Sequence, residues 1–447
     1  MKNYRLYLTA ASVFLLITSA HGQNPFIRDQ FTADPTARVF GERVYVFPSH
    51  DIPAKPGRGR AGWFVMEDYH VFSSADLTNW TDHGVIASQK KVNWVDSTSF
   101  SMWAPDCIER NGKYYFYFPA NVKSEFGKGS MVGVAIATNP AGPYIPEPKP
   151  ISNVRGIDPN VFIDKDGQAY LYWSAGNIYA AKLKENMMEL ETAPIIVKEL
   201  PGKGLKEGPF LFERNGTYYM TYPHVENKIE RLEYAISDNP MGPFKVTGVI
   251  MDESPTGCWT NHHSITKFKD QWYLFYHHND LSPKFDKNRS VRVDSLFFNG
   301  DGTITKVVPT LRGVGLTKAT TEIQIDRYSS ISKNSSVAFN DSVNTFKGWK
   351  TILSGQGAWT QYNAVDFGNK KLKSADVRVL SDKGSIIQIH LDKADGPMLA
   401  ELKIQGGKSW NTLNSKLVKF EKGVHNLIVV NKGNSPVEID WMKFKGK

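Results

Sequence analysis

Five stretches within the first three hundred residues repeat one alternation of apolar and polar positions. Each opens on a carboxylate or histidine, runs through a short apolar strand, turns, and returns as an aromatic strand. They are ADPTARVFGERVYVFPSHD (33–51), APDCIERNGKYYFYFPA (104–120), IDPNVFIDKDGQAYLYWSAG (157–176), EGPFLFERNGTYYMTYPH (207–224) and NHHSITKFKDQWYLFYHHND (261–280). Asn111-Gly112, Asp166-Gly167 and Asn215-Gly216 are strong hairpin signals between the alternating runs. The leading polar residues Asp34, Asp106, Asp158, Glu207 and His262 stand 72, 52, 49 and 55 residues apart. A second echo, ATNPAGPY (137–144) and SDNPMGPF (237–244), keeps the same register. Units of about 50 residues built from short strands are propeller blades, so the pattern predicts an all-β chain opening with a five-bladed β-propeller.

The repeat ends near Thr310-Leu311, and the small, polar stretch RGVGLTKATTE (312–322) reads as a linker. Short alternating runs follow: AVDFG, ADVRVLS, SIIQIHLD, LAELKIQ, KLVKFEKGVHNLIVVNKG and VEIDWMKF. Their spacing, with Gly and Asn turns, predicts a β-sandwich over 322–447. At the other end, Lys2 and Arg5 precede an apolar run from Leu6 to Ile17, and Ser19, Ala20 and Gly22 follow. Residues 1–22 therefore read as a signal peptide, which implies an exported, periplasmic or secreted protein without a membrane anchor. A domain would then span 23–318.

Composition adds two questions. The chain of 447 residues is 12% aromatic with 36 Gly and 24 Pro, a surplus that packed blades absorb. Its formal net charge of +9 suggests nucleic-acid binding, yet the basic residues are scattered rather than clustered, and export argues further against it. Lys91, Lys113, Lys128, Lys203, Lys206 and Arg214 lie near turns or blade edges, as on a solvated surface. Cys107 and Cys258 can form at most one bridge, stand equally well as two buried thiols, and make no zinc site.

Equivalent positions of successive blades lie in a ring around the propeller axis. Asp34, Asp158, Glu207 and His262 should therefore meet in one pocket, although Asp34-Pro35 and Asp158-Pro159 taken singly are also ordinary turn dipeptides. Three carboxylates and a histidine suit acid–base cleavage of a glycosidic bond, where one carboxyl protonates the leaving oxygen and another activates water. Asp106 has its proline before rather than after it, and reads equally as structural or substrate-contacting. One of His262 and His263 should face the axis, whereas His277-His278, at the far end of that strand, reads as solvated or loop-facing. Motifs for serine nucleophiles, zinc proteases and nucleotide binding are missing.

TADPTARVF, MEDYHVFSSADLTNWTDHGV, WAPDCIERNGKYYFYFPA, IDPNVFID, EGPFLFERNGTYY, NHHSITKF and NRSVRVDSLFFNGDGTI resemble glycoside hydrolase family 43 over about residues 24–318. The resemblance implies inverting hydrolysis with Asp34 as general base, Glu207 as general acid and Asp158 tuning and orienting the acid. It further implies base and acid carboxyls roughly 6.5–9.5 Å apart, leaving room for water. Among family members the closest likeness is to α-L-arabinofuranosidases that debranch arabinoxylan, then β-D-xylosidases; a carbohydrate-binding protein that has lost catalysis is the alternative of another class. By the same resemblance Arg289, Asp51 and Trp103 are expected at the substrate, and His262 to help hold a hydrated structural Ca2+, with no cofactor required for catalysis. The insertion at 52–66 should line the pocket's outer side. WTQYNAVDFG, GVHNLIVV and EIDWMKF resemble carbohydrate-binding module family 6, a jelly roll. There Trp410 is the expected stacking residue, Phe346 or Trp349 its opposing wall, and Glu438 replaces a common Asn. Plant cell-wall polysaccharide is the expected partner and a monomer the expected state.

Overall fold

The computed structural model describes residues 23–419 and 421–446, so the signal-peptide expectation lies outside the described residues. The chain is all-β apart from three short 3₁₀ turns among the described residues. Strands β1 (Phe31–Phe40), β2 (Arg43–Asp51), β3 (Asp68–Ser74) and β4 (Thr81–Ser88) form a first antiparallel sheet in sequence order. A second holds β5 (Asp106–Arg110), β6 (Lys113–Asn121), β7 (Ser130–Ala137) and β8 (Ile145–Pro146). A third holds β9 (Ile157–Ile163), β10 (Ala169–Ser174), β11 (Ile178–Leu183) and β12 (Ile195–Ile196). The fourth holds β13 (Phe210–Arg214), β14 (Thr217–Val225), β15 (Glu230–Ser237) and β16 (Lys245–Met251). β17 (His263–Phe268), β18 (Gln271–His278) and β19 (Ser290–Leu296) make a three-stranded fifth.

Each repeated sequence segment is thus the first hairpin of one sheet. Asn111-Gly112 and Asn215-Gly216 carry positive φ at both residues, as a two-residue turn matched to strand twist requires. The first strands touch in cyclic order: β1 meets β5, β5 meets β9, β9 meets β13, β13 meets β17, and β17 meets β1. Interleaved aromatic and aliphatic clusters fill the spaces between neighbouring sheets, for example Phe47, Tyr69, Trp94, Phe116 and Phe118 between the first two. The N-terminal segment secures the fifth sheet. The Phe26 amide bonds the Val291 carbonyl, the Asn24 side chain bonds Val293, Asp294 and Thr310, and Phe26 stacks on Trp80 at 4.4 Å.

Residues beyond 316 build two six-stranded sheets facing across one core, a β-sandwich. Tyr362, Ile387, Ile389, Leu427 and Val429 come from one sheet, and Leu353, Val377, Ile439, Met442 and Phe444 from the other. The segment read as a linker is packed rather than free. Arg312 is buried and donates to the Asn363 and Gly315 carbonyls, and Thr317–Lys318 pairs in parallel with Val365–Asp366. Gln23 bonds the Tyr362 hydroxyl and Arg327 the Asn24 carbonyl, so the two parts are joined by buried polar contacts.

Both cysteines are buried free thiols. Of the six basic residues expected on a solvated surface, Lys206 is buried, its ammonium on the Gly204 carbonyl. No helix among the described residues is long and apolar enough to cross a membrane.

Candidate active site

Asp34 and Asp158 occupy the same device in two sheets. Both lie in left-handed backbone, φ +47° and +55°, beside an irregularity in strand pairing, and both precede proline. A non-glycine residue held there is strained and turns its side chain out of the sheet's alternation. Gly208, at φ +54°, makes the corresponding turn after Glu207; a Cβ there would stand 2.9 Å from the His262 ring. Asp34, Asp158, Glu207 and His262 consequently line one cavity of about 170 Å³, joined by Trp63, Phe64, Met66, Trp103, Trp259, Thr260 and Arg289. A larger cavity of about 370 Å³ lies between the first sheet and the sandwich, but holds none of the repeat's leading residues.

Asp106, in regular pairing with Tyr117, takes no part. Its buried carboxylate accepts from Arg38, from Asn160 and from the Val161 amide, tying three sheets together. It is structural.

The pocket separates its carboxyls electrostatically. Burial is the largest influence on Asp34 and would raise it, but the Arg289 guanidinium and smaller neighbouring contributions, the Ser49 hydrogen bond among them, together outweigh it and hold the carboxyl down at about 2. Arg289 donates to Asp34 Oδ1 at 2.8 Å and Oδ2 at 3.3 Å, and Ser49 Oγ donates to Oδ2 at 2.6 Å. Glu207 moves the opposite way, raised by withdrawal from water and by Asp34, against a lowering hydrogen bond from Glu230. Asp158 is raised well above the carboxylate range by burial and then by Glu207 and Asp34. Its Oδ2 accepts the Gly208 amide at 3.0 Å, which fixes the backbone beside Glu207. Carboxyls gathered away from water cannot all ionise, so this group retains protons while the Arg289-paired member does not.

Three expectations change. Asp51 does not line the cavity: its side chain is fully enclosed and both its oxygens bond Arg289 at 2.9 Å. It cannot touch substrate and instead anchors the arginine. His277 and His278 are completely buried rather than solvated. His277 Nδ1 accepts the Asp34 amide at 3.0 Å, which leaves the ring proton on Nε2 facing the Thr260 carbonyl. Arg289, expected to bind a sugar hydroxyl, lines the cavity but spends its donors on Asp34, Asp51 and Thr260.

At His262 burial is the largest influence, and it lowers the imidazole to about 4, leaving it neutral. Among the described residues it is not gathered with two further carboxylate, imidazole or thiolate donors at ligating separation. Calcium prefers six to eight oxygens, so these side chains do not themselves fit the expected ion.

A profile described as glycosyl hydrolases family 43 matches residues 22–304. The chain belongs to that family. A carbohydrate binding module (family 6) profile matches residues 328–446. Xylosidase/arabinosidase 43A of Humicola insolens is 34% identical over 64% of this chain and 99% of its own length. The arabinoxylan arabinofuranohydrolase of Bacillus subtilis (strain 168) is 28% identical over 92% of this chain and 89% of its own. A solved GH43_1 enzyme from Xanthomonas citri, complexed with xylotriose, is 33% identical with TM-score 0.57, covering 66% of this chain and 95% of that one. The chain is therefore a family 43 glycosidase degrading hemicellulose, with an oligosaccharide or polysaccharide as substrate.

Two residues that the repeat does not mark stand at the glycosidase pocket, Trp259 in its lining and Glu230 behind Glu207. Glu230 is a buried carboxyl on β15 that accepts the Asn261 amide at 2.7 Å and is raised well above its usual range, first by burial and then by Glu207. Trp259, three residues before His262, could have been found by that adjacency. In the module, Lys350 and Arg378 lie over the half-buried Trp410 ring at 6.0 and 5.6 Å, and Glu438 pairs with Lys350. Trp349 alternates to the other side of its strand and packs under Arg327 at 3.4 Å, while Phe346 packs on Phe31 at 4.8 Å. Neither faces Trp410.

Proposed function

We propose that this chain is an inverting, exo-acting glycoside hydrolase that removes α-L-arabinofuranose side chains from arabinoxylan. Asp34 is the general base, Glu207 the general acid, and Asp158 tunes and orients the acid. The observation carrying this reading is the opposite setting of two carboxyls on one cavity. Arg289 keeps Asp34 ionised, while burial beside other carboxyls keeps Glu207 protonated. Inversion needs that division: Asp34 takes a proton from water attacking the anomeric carbon as Glu207 donates one to the departing oxygen. Asp158 acts through the Gly208 amide, holding the acid's backbone. The reaction requires no cofactor.

The proposal includes five sheets closed as a five-bladed propeller over 23–318, supported by the cyclic contacts of the first strands. A cavity of about 170 Å³ is smaller than ordinary ligand pockets of about 300 Å³ or more, which suits a single terminal sugar. Trp63, Phe64, Trp103 and Trp259 offer rings for its apolar face. The arabinofuranosidase reading draws on the Bacillus relative, whose likeness runs through both domains. A β-D-xylosidase is the second reading, favoured by the likeness to the xylotriose-complexed enzyme. Export through residues 1–22 belongs to the same proposal.

Comparing kcat/KM on aryl α-L-arabinofuranosides, aryl β-D-xylosides and arabinoxylan separates the two sugars. In Glu207→Gln, arabinoxylan hydrolysis should fall by about 10²–10⁴. Unchanged hydrolysis would remove Glu207 from the role of acid.

A further inference from the structure

The first sheet carries a second cluster of chemistry outside the pocket. His50, Asp68 and His70 each present one donor atom within 4.8 Å of the others, and all three are half-buried. Strand alternation explains their meeting. Ser49 pairs with Tyr69 on one face of the sheet, so His50, Asp68 and His70 share the opposite face. The two imidazole rings stand 5.1 Å apart, tilted by 75°.

The surroundings favour ligation. His70 Nδ1 lies 3.1 Å from both oxygens of Asp82, which in turn accepts the Gly84 amide at 2.7 Å and Gln30 at 3.2 Å. With Nδ1–H committed to that carboxylate, the lone pair is on Nε2. A carboxylate behind a histidine is the usual outer support of a metal-bound imidazole. His50 Nδ1 and Asp68 Oδ1 are 2.6 Å apart, held by a proton between them. A tetrahedral cation taking the place of that proton would spread the two atoms to about 3.3 Å, as its bond lengths require.

We propose that His50, Asp68 and His70 bind one divalent transition-metal ion of the zinc class, which clamps both stems of the pocket loop. Two imidazoles and a carboxylate suit zinc and its neighbours rather than calcium. The position gives the ion a purpose. His50 is the last residue but one of β2, next to the loop at 52–67, and Asp68 opens β3 immediately after it; Trp63, Phe64 and Met66 of that loop line the cavity. His50 also adjoins Asp51, the anchor of Arg289. The binding claim is independent of the glycosidase reading, whereas the effect on the pocket rests on it.

Calorimetric titration of the untagged, chelator-stripped chain with zinc chloride tests the claim, with calcium chloride as control. One zinc per chain is expected, with a higher unfolding midpoint and slower amide exchange across 52–67, and no response to calcium. His50→Gln and His70→Gln, verified as folded by circular dichroism, should each abolish the titration. Asp82→Asn should weaken it about 10- to 100-fold. Absence of stoichiometric zinc binding by the wild type, or its survival in both histidine variants, would overturn the proposal whatever sugar the enzyme releases.

Discussion

Removing the Arg289 charge should release Asp34 and carry the acidic limb of the kcat/KM profile upward by about two pH units. The folded carboxyl stands at about 2, against an ordinary value near 3.9. The difference corresponds to about 2.5 kcal/mol favouring the ionised form. Burial pushes the other way and is the largest single influence, so with the guanidinium, the largest opposing one, removed the carboxyl should rise from about 2 toward its ordinary value. Because the folded value is depressed, ionised Asp34 stabilises the fold above about pH 4, and the contribution fades as pH falls from about 4 toward 2. Arg289→Met also leaves Asp51 buried without its partner, at a cost of about 3–5 kcal/mol. Ser49→Ala is the gentler companion, removing one 2.6 Å hydrogen bond to Asp34 and shifting the limb less. The assay is kcat/KM on an aryl α-L-arabinofuranoside from pH 2.5 to 8, with circular dichroism at each pH. A folded Arg289→Met whose acidic limb has not moved would refute the reasoning.

Glu230→Gln should behave almost as wild type, since the amide is as uncharged as the carboxyl whose ionisation burial and Glu207 oppose and can lower Glu207 in the same way. Glu230→Leu loses that lowering influence and should shift the alkaline limb to higher pH, read from the same profile. Trp103→Ala should raise KM up to about tenfold with a smaller change in kcat, measured by initial rates, if its ring packs on the sugar. Arg38→Met leaves Asp106 buried without its cation and should cost about 3–5 kcal/mol in denaturant unfolding while leaving the pH profile in place.

The hairpins were legible because period-two alternation and Asn-Gly turns are local signals. Asp34 and Asp158 were legible for a related reason: the repeated Asp-Pro marks a left-handed residue that breaks the strand's alternation. Asp106, with its proline on the other side, lacks that geometry and is held in regular pairing. Glu230 sits on a later strand, where no echo marks it. His277 meets Asp34 only because β18 and β1 are neighbours across 243 residues of chain. Asp51 was misjudged because adjacency to a site does not say which way a side chain faces. The 312–322 segment misled because backbone pairing and a buried arginine need no apolar sequence. Trp349 misled because its strand had no visible register, and one step of alternation decides which side a ring takes.

The most direct test of the two-carboxylate account is the anomeric configuration of the first sugar released, followed by proton NMR on arabinoxylan before mutarotation. The account predicts β-arabinofuranose at the earliest times, with the other anomers growing in later. Initial release of the α anomer would mean retention, and would contradict Asp34 acting as a base on water.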